Sequence, residues 1–190
     1  DYISLMKIGA VILAAGESKR FGKNKLLEKI KGKAILDYVL DNVDLERVII
    51  VGKYATELLT HLKDEIVIYN PRWMEGISTS IKLGLRFFQD YDGVLIVLGD
   101  MPFVRREDIR KIIDSFKPEC NAVIPTHDKI WGNPVLLSKK IFNKVMEIKG
   151  DEGAKKILKN MENLCFTECS EGVLIDIDTV SDLSTFEKLP

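Results

Sequence analysis

The chain has 190 residues, 46% hydrophobic and 30% charged, with 28 lysines and arginines against 29 acids and a formal net charge of -1. That length holds one sizeable core and is short for two independent domains, so a single soluble globular domain over residues 1–190 is expected. The charge balance excludes a polybasic nucleic-acid binder. With no apolar run near the roughly 18 residues of a membrane span and no basic-apolar-small leader pattern, the expectation is a cytoplasmic protein with neither a membrane nor a nucleic-acid partner.

Residues 1–5 precede Met6 and read as an upstream extension. Short β-branched runs then alternate with stretches of helical spacing. Strands are expected at IGAVIL (8–13), RVIIVG (47–52), EIVIY (65–69), GVLIVLGD (93–100) and NAVIP (121–125), and helices near 34–42, 54–62, 78–89, 105–116, 138–148 and 151–160. Such alternation predicts βαβ units and an α/β fold whose mainly parallel sheet is covered on both faces. After residue 125 the rhythm loosens into an extended WGNPVLLS (131–138), strands at LCFTE (164–168) and VLIDIDT (173–179), and a closing helix at 180–188. Repeats and low-complexity tracts are absent. Cys120, Cys165 and Cys169 are too few and too scattered for a disulfide framework or a zinc site, and are expected as ordinary thiols.

The first strand runs straight into AAGESKRFGKNK, which puts a glycine-bearing turn at the carboxyl end of a strand, where open α/β sheets bind ligands. Gly16 and Gly22 allow close backbone approach or positive φ, successive N–H groups form an anion-binding nest, and Lys19, Arg20, Lys23 and Lys25 add full positive charge. A phosphate is the natural guest, although the spacing is neither that of a P-loop nor that of a dinucleotide fingerprint. The competing reading is a surface turn with solvated lysines. Asp100 ends a near-continuous apolar run at the same expected crevice, which suits a ligand of a hard divalent cation; a helix cap or a turn before Pro102 is the alternative. Asp176 and Asp178, one residue apart, point to one side if their segment is a strand, while Thr179 and Ser181 are candidate caps for the last helix. His61 and His127 sit in no catalytic setting and read as surface or core residues.

Six stretches in order, LAAGESKRFGKNK from Leu13, NPRWMEGISTSIKLGL from Asn70, LGDMPFV from Leu98, GNPVLLS from Gly132, GDEGAKKIL from Gly150 and DIDTVSDL from Asp176, closely resemble the molybdenum cofactor cytidylyltransferase family of nucleotidyltransferases. The resemblance covers nearly the whole chain. It implies a three-layer αβα, Rossmann-like fold of the nucleotide-diphospho-sugar transferase type, with the nucleotide in the N-terminal half and the acceptor in the C-terminal half. The implied reaction transfers CMP from CTP to the terminal phosphate of molybdopterin and releases pyrophosphate.

The resemblance also assigns roles. Leu13, Ala14, Ala15, Gly16, Glu17 and Ser18 would form the nucleotide loop, and Arg20 with its N–H groups would hold the β- and γ-phosphates. Lys25 would lie on the α-phosphate as a catalytic group. Gly76, Ser78, Ser80 and Gly99 would line the base and ribose, with a helix cap at Ser78 as the alternative or additional role. Mg2+ would sit between Asp100, also catalytic, and Asp178, with Asp176 the weaker ligand. Guanylyl-transferring relatives carry L-A-G-G where this chain has L-A-A-G, and a methyl at Ala15 narrows the base pocket. Asn133 and Pro134, with Asp176, are the acceptor-side candidates; the family usually has His where this chain has Asn133, which weakens the assignment to a molybdopterin acceptor. Trp131 beside them reads either as a pterin-stacking ring or as packing. A sugar- or polyol-phosphate nucleotidyltransferase, guanylyl transfer to the same cofactor, and a nucleotide- or cofactor-binding chaperone stand as alternatives, and a molybdoenzyme is a candidate client.

Overall fold

Alternation along the first strand sets the layers. In the computed structural model, which describes residues 6–18 and 20–187, β1 (Ile8–Ala14) sends Ala10, Ile12 and Ala14 to one core and Val11 and Leu13 to another on the opposite face, the two-residue period of an extended chain. Helices α1 (Ile35–Asn42), α2 (Ala55–His61) and α4 (Arg106–Asp114) bury Leu36, Leu58 and Ile112 in the first core. Helices α3 (Ile77–Phe87), α5 (Phe142–Val145) and α6 (Ala154–Leu158) bury Ile81, Val145 and Leu158 in the second. The fold is therefore α/β in three layers, with apolar strands covered on both sides.

The remaining strands are β2 (Lys29–Ile30), β3 (Lys33–Ala34), β4 (Glu46–Val51), β5 (Val67–Tyr69), β6 (Gly93–Leu98), β7 (Ala122–His127), β8 (Ile130–Trp131), β9 (Val135–Ser138) and β10 (Leu164–Glu168). The main sheet has the order β10-β7-β9-β6-β1-β4-β5, with β8 on β7, while β2 and β3 form a separate ribbon. β5, β4, β1 and β6 are mutually parallel, as are β7 and β10, and β9 enters antiparallel between β6 and β7. The mainly parallel expectation holds, with GNPVLLS as the reversed insert. Because β9 is antiparallel to both neighbours, β7 ends at the same edge as β1 and β6.

Three expectations are corrected. The segment 173–179 alternates apolar and acidic residues like a strand but has no ladder partner. It forms a 3₁₀ turn at Glu171–Leu174 and then crosses the carboxyl ends of the strands, held by Asn133 N–H to the Val173 carbonyl and Ile177 N–H to the Asp100 carbonyl, each 2.9 Å. The helix expected at 138–148 is a 3₁₀ turn, Lys139–Ile141, running into α5, and that at 151–160 shrinks to α6 because Gly150 turns with φ 58° and Gly153 caps the start. Finally, Cys120 and Cys165 form a disulfide, while Cys169 is a buried free thiol pushed up to about 11, chiefly by burial. The bridge joins residues 45 apart in sequence because β7 and β10 pair in parallel, with Cys165 opposite Val123. The expectations at residues 1–5, Lys19 and the last residue of the closing helix lie outside the described residues. That helix, α7 (Val180–Glu187), begins as expected. No helix among the described residues is long and apolar enough to cross a membrane.

Candidate active site

The sheet order reverses at β1: the chain passes from β1 out to β4 and β5, then returns to β6 on the other side. Such a switch point opens a crevice beyond the strand carboxyl ends, and both the glycine-bearing loop and Asp100 fall there. Gly99 continues the close strand contact, its N–H bonded to the Leu13 carbonyl at 3.0 Å; a Cβ at this position would lie 2.8 Å from that oxygen. A cavity of about 650 Å³ fills the crevice, the size of small-molecule sites. Of the residues assigned by resemblance to the nucleotide, Leu13 through Ser18, Lys25, Gly76, Ser80 and Gly99 line it, together with Asp100. Arg20 stands outside it and Ser78 lies behind the wall, buried, its N–H on the Gly150 carbonyl at 3.0 Å.

The loop is held from below. Phe21 inserts into the core, Phe21 and Gly22 N–H groups both donate to the Ser18 carbonyl at 3.0 and 2.8 Å, and the Tyr54 hydroxyl donates to the Glu17 carbonyl at 3.1 Å. The N–H groups of Gly16, Glu17 and Ser18 bond no acceptor among the described residues, which leaves them available to an anion.

Two ion pairs bring distant parts of the chain together. Lys25 Nζ donates to Asp100 Oδ2 at 2.9 Å and to the Ile177 carbonyl at 2.8 Å. Burial raises the Asp100 carboxyl above its ordinary range, the Lys25 ammonium opposes this, and the Asp176 carboxylate adds to the rise. Arg20 Nη1 meets Asp178 Oδ2 at 2.5 Å, an exposed pair with 76% and 38% of the side chains accessible. Asp178 does not cap α7. Thr179 and Asp182 do so reciprocally: Asp182 Oδ2 accepts the Asp178 and Thr179 N–H groups at 3.0 and 2.9 Å, and the Asp182 N–H donates to Thr179 Oγ1 at 3.2 Å. Likewise Asp100 caps no helix, since α4 is capped at Arg105 with Asp108, and Gly76 rather than Ser78 occupies the cap of α3.

For a divalent cation, the described residues contain no cluster of three or more acid, histidine or cysteine ligands. Two acids that repel, Asp100 and Asp176, with Asp178 two residues further on, nevertheless suit an ion that takes its other ligands from phosphate oxygens and water, as Mg2+ does.

Several cavity residues were missed by sequence reasoning. Trp73, Met74 and Ile77 form an apolar wall, and Asn24 and Asp151 line other parts. Met74 is highly exposed, and an exposed apolar residue in a turn gives no pattern to read. Gly76 has φ 109° and would place a Cβ 2.2 Å from the Gly150 carbonyl carbon and oxygen, so glycine is required both for conformation and for seating the 150–151 loop on this wall. On the acceptor side, Asn133 and Pro134, joined by a cis peptide, lie between β8 and β9 and do not line the cavity. Trp131 packs on Phe166 at 5.5 Å, and its carbonyl accepts from Lys155 Nζ at 3.4 Å. Burial, with Lys159 nearby, lowers the Lys155 ammonium to about 8. His61 bonds Asp37 and His127 bonds the Cys169 carbonyl, both away from the cavity.

A doubly covered α/β sheet open at its switch point, with a cation-bearing loop facing acids across a ligand-sized space, has the architecture of nucleotidyltransferases. Residues 10–164 match the MobA-like NTP transferase domain, and the chain belongs to that family. It is 27% identical over 184 residues to the molybdenum cofactor cytidylyltransferase of Escherichia coli, covering 94% of each chain. With a probable molybdenum cofactor guanylyltransferase of Thermococcus gammatolerans it shares 32% over 153 residues, covering 75% of this chain and 74% of the relative. Among solved structures, the manganese complex of Rv0371c from Mycobacterium tuberculosis superposes with a TM-score of 0.79 at 22% identity, over 97% of this chain and 99% of that one. The protein is a nucleotidyltransferase acting on a phosphorylated small molecule.

Proposed function

We propose that the protein transfers CMP from CTP to the terminal phosphate of molybdopterin. An acceptor phosphate oxygen forms the new bond to the α-phosphorus, the bond from that phosphorus to the bridging oxygen breaks, and pyrophosphate leaves with the electron pair. No covalent enzyme intermediate is required, so the work of the chain is alignment and charge stabilisation. The observation that carries this reading is Lys25, fixed at the cavity by Asp100 and the Ile177 carbonyl, where its ammonium meets the charge that develops on the α-phosphate. Gly16, Glu17 and Ser18 N–H groups receive the β- and γ-phosphates, and Arg20 swings from Asp178 to join them. Asp100 with Asp178, supported by Asp176, would hold Mg2+, which neutralises phosphate charge when bound. Asn133 and Pro134, beside the cavity rather than on its lining, would contact the acceptor.

Cytidine is favoured by Ala15, which is buried and lines the cavity and whose methyl would narrow a base pocket there, and by the likeness to the cytidylyltransferase of Escherichia coli. Guanylyl transfer is the second reading, favoured by the higher identity to the Thermococcus protein. The test is pyrophosphate release from CTP, GTP, UTP and ATP, each with Mg2+ and with molybdopterin or a sugar phosphate as acceptor. CTP with molybdopterin should turn over fastest; preference for GTP selects the second reading, and binding of nucleotide without turnover overturns enzymatic transfer.

A further inference from the structure

We infer that Asn70 is a positioning residue that makes the Ser80 hydroxyl a hydrogen-bond donor into the nucleotide cavity, where it selects an acceptor on the base edge. The inference rests on the reading that the cavity holds a nucleoside triphosphate.

Asn70 follows β5, is 1% exposed, and anchors its own N–H to the Val51 carbonyl at 2.8 Å. Its side-chain orientation is determined by chemistry. Oδ1 accepts the backbone N–H of Arg72 at 2.9 Å, and a backbone N–H can only donate. The other end of the amide is therefore NH₂, and its two protons go to Thr79 Oγ1 at 2.8 Å and Ser80 Oγ at 2.9 Å. Thr79 passes its own proton to the Gly76 carbonyl at 2.8 Å. Ser80, 2% exposed, accepts from Asn70 and lines the cavity; its proton meets no acceptor among the described residues. Every other polar group of this buried network is matched, and a buried donor left over is costly. The Asn70 side of the oxygen already holds a donor, so the proton points away from it, and the cavity that Ser80 lines is where an acceptor can meet it.

The neighbouring wall is the apolar one, made by Trp73, Met74 and Ile77, whereas Lys25 and Asp100 mark the phosphate end. The group that meets Ser80 is therefore on the base, and it must accept: the O2 and N3 edge of cytosine does so.

Asn70→Asp tests this with little change of shape. The carboxylate has no proton for Ser80 and accepts one instead, so the hydroxyl turns away from the cavity and presents a lone pair to the base. CTP affinity measured by calorimetry should fall about 10- to 100-fold, while inorganic tripolyphosphate, which has no base, should bind as it does to the wild type. Ser80→Ala should cause a loss of similar size, and adding Asn70→Asp to it should cost no further CTP affinity. Equal CTP binding by wild type and either single variant overturns the inference, as does a parallel loss of tripolyphosphate or an undiminished Asn70→Asp effect without the serine, each of which marks a general deformation of the turn. If Asn70→Asp does not fold, Asn70→Ala takes its place, with the same expected CTP loss and the same absence of a further loss in the Ser80→Ala background. A wild-type protein that binds tripolyphosphate but no nucleotide overturns the nucleotide reading instead.

Discussion

Lys25→Met removes the ammonium that faces Asp100 while keeping most of the side chain. The pair is 15% and 20% exposed at its side chains. Removing one partner of a fully buried pair costs about 3–5 kcal/mol because the other charge is left uncompensated, and the residual water here reduces that to about 1–3 kcal/mol. At roughly 2–4 °C per kcal/mol for a chain of this size, the melting temperature should fall by about 2–12 °C. Asp100→Asn should behave oppositely. Burial raises the Asp100 carboxyl in the folded state, so its ionisation favours the unfolded chain above the ordinary carboxylate range, and that destabilisation is lost as pH falls; an amide at neutral pH should leave stability unchanged or higher. In the Asp100→Asn background, Lys25→Met should then cost markedly less. Melting curves of the four proteins, measured beside pyrophosphate release, test this. Lys25→Met should lower kcat roughly 100-fold or more, and the double variant should be stable but inactive. An equal melting loss in both backgrounds would show that the cost does not arise from the stranded carboxylate, and near-normal turnover would remove Lys25 from the chemistry.

Ala15→Gly should loosen donor choice, raising relative kcat/KM for GTP by the equivalent of about 1–3 kcal/mol; an unchanged CTP:GTP ratio would refute the steric account. Reduction of the Cys120–Cys165 bridge, which closes 45 residues, should destabilise by about 4 kcal/mol in the chain-entropy account, and identical melts with and without a phosphine reductant would show that the bridge contributes nothing. Lys155, lowered to about 8, should acylate with a midpoint near that pH in labelling followed by mass spectrometry, while a midpoint above 10 would contradict its burial. Because Thr179 and Asp182 cap α7 without the Asp178 side chain, Asp178→Asn should raise the Mg2+ requirement of turnover with little change in melting temperature. A lowered melting point at unchanged Mg2+ dependence would make Asp178 structural.

What was legible in the sequence follows local pattern. GVLIVLGD has no polar break, which only a strand covered on both faces tolerates, so β6 and the position of Asp100 at its end could be placed without coordinates. The loop from Ala15 carries its own signals in glycine and charge. By contrast, VLIDIDT has the alternation of a half-buried strand, but alternation cannot report whether a neighbouring strand is present to receive it. Cys120 and Cys165 look unrelated until β7 and β10 are known to be adjacent. Asn70 shows no role in the sequence, because its partners at Arg72, Thr79 and Ser80 meet only when the turn before α3 closes.

Two ion pairs at the site join groups proposed for different partners. Lys25 and Arg20, the cations proposed to meet phosphates, are held by Asp100 and Asp178, the acids proposed to meet a metal. Lys25 and Asp100, the two sheltered members, would otherwise stand unpaired in a partly dehydrated space, where uncompensated charge is costly. Under the proposed roles, a triphosphate arriving with its cation would exchange partners instead of creating charges, the phosphates taking the place of the acids beside Lys25 and Arg20. The two pairs differ in how readily they make that exchange. The Arg20–Asp178 pair is exposed and screened by salt, so it would yield first and leave the guanidinium free for the outer phosphates proposed for it. The Lys25–Asp100 pair is sheltered and Lys25 is also fixed by the Ile177 carbonyl, so Lys25 would keep its place while its partner changed, as the proposed role of meeting charge developing at one atom requires.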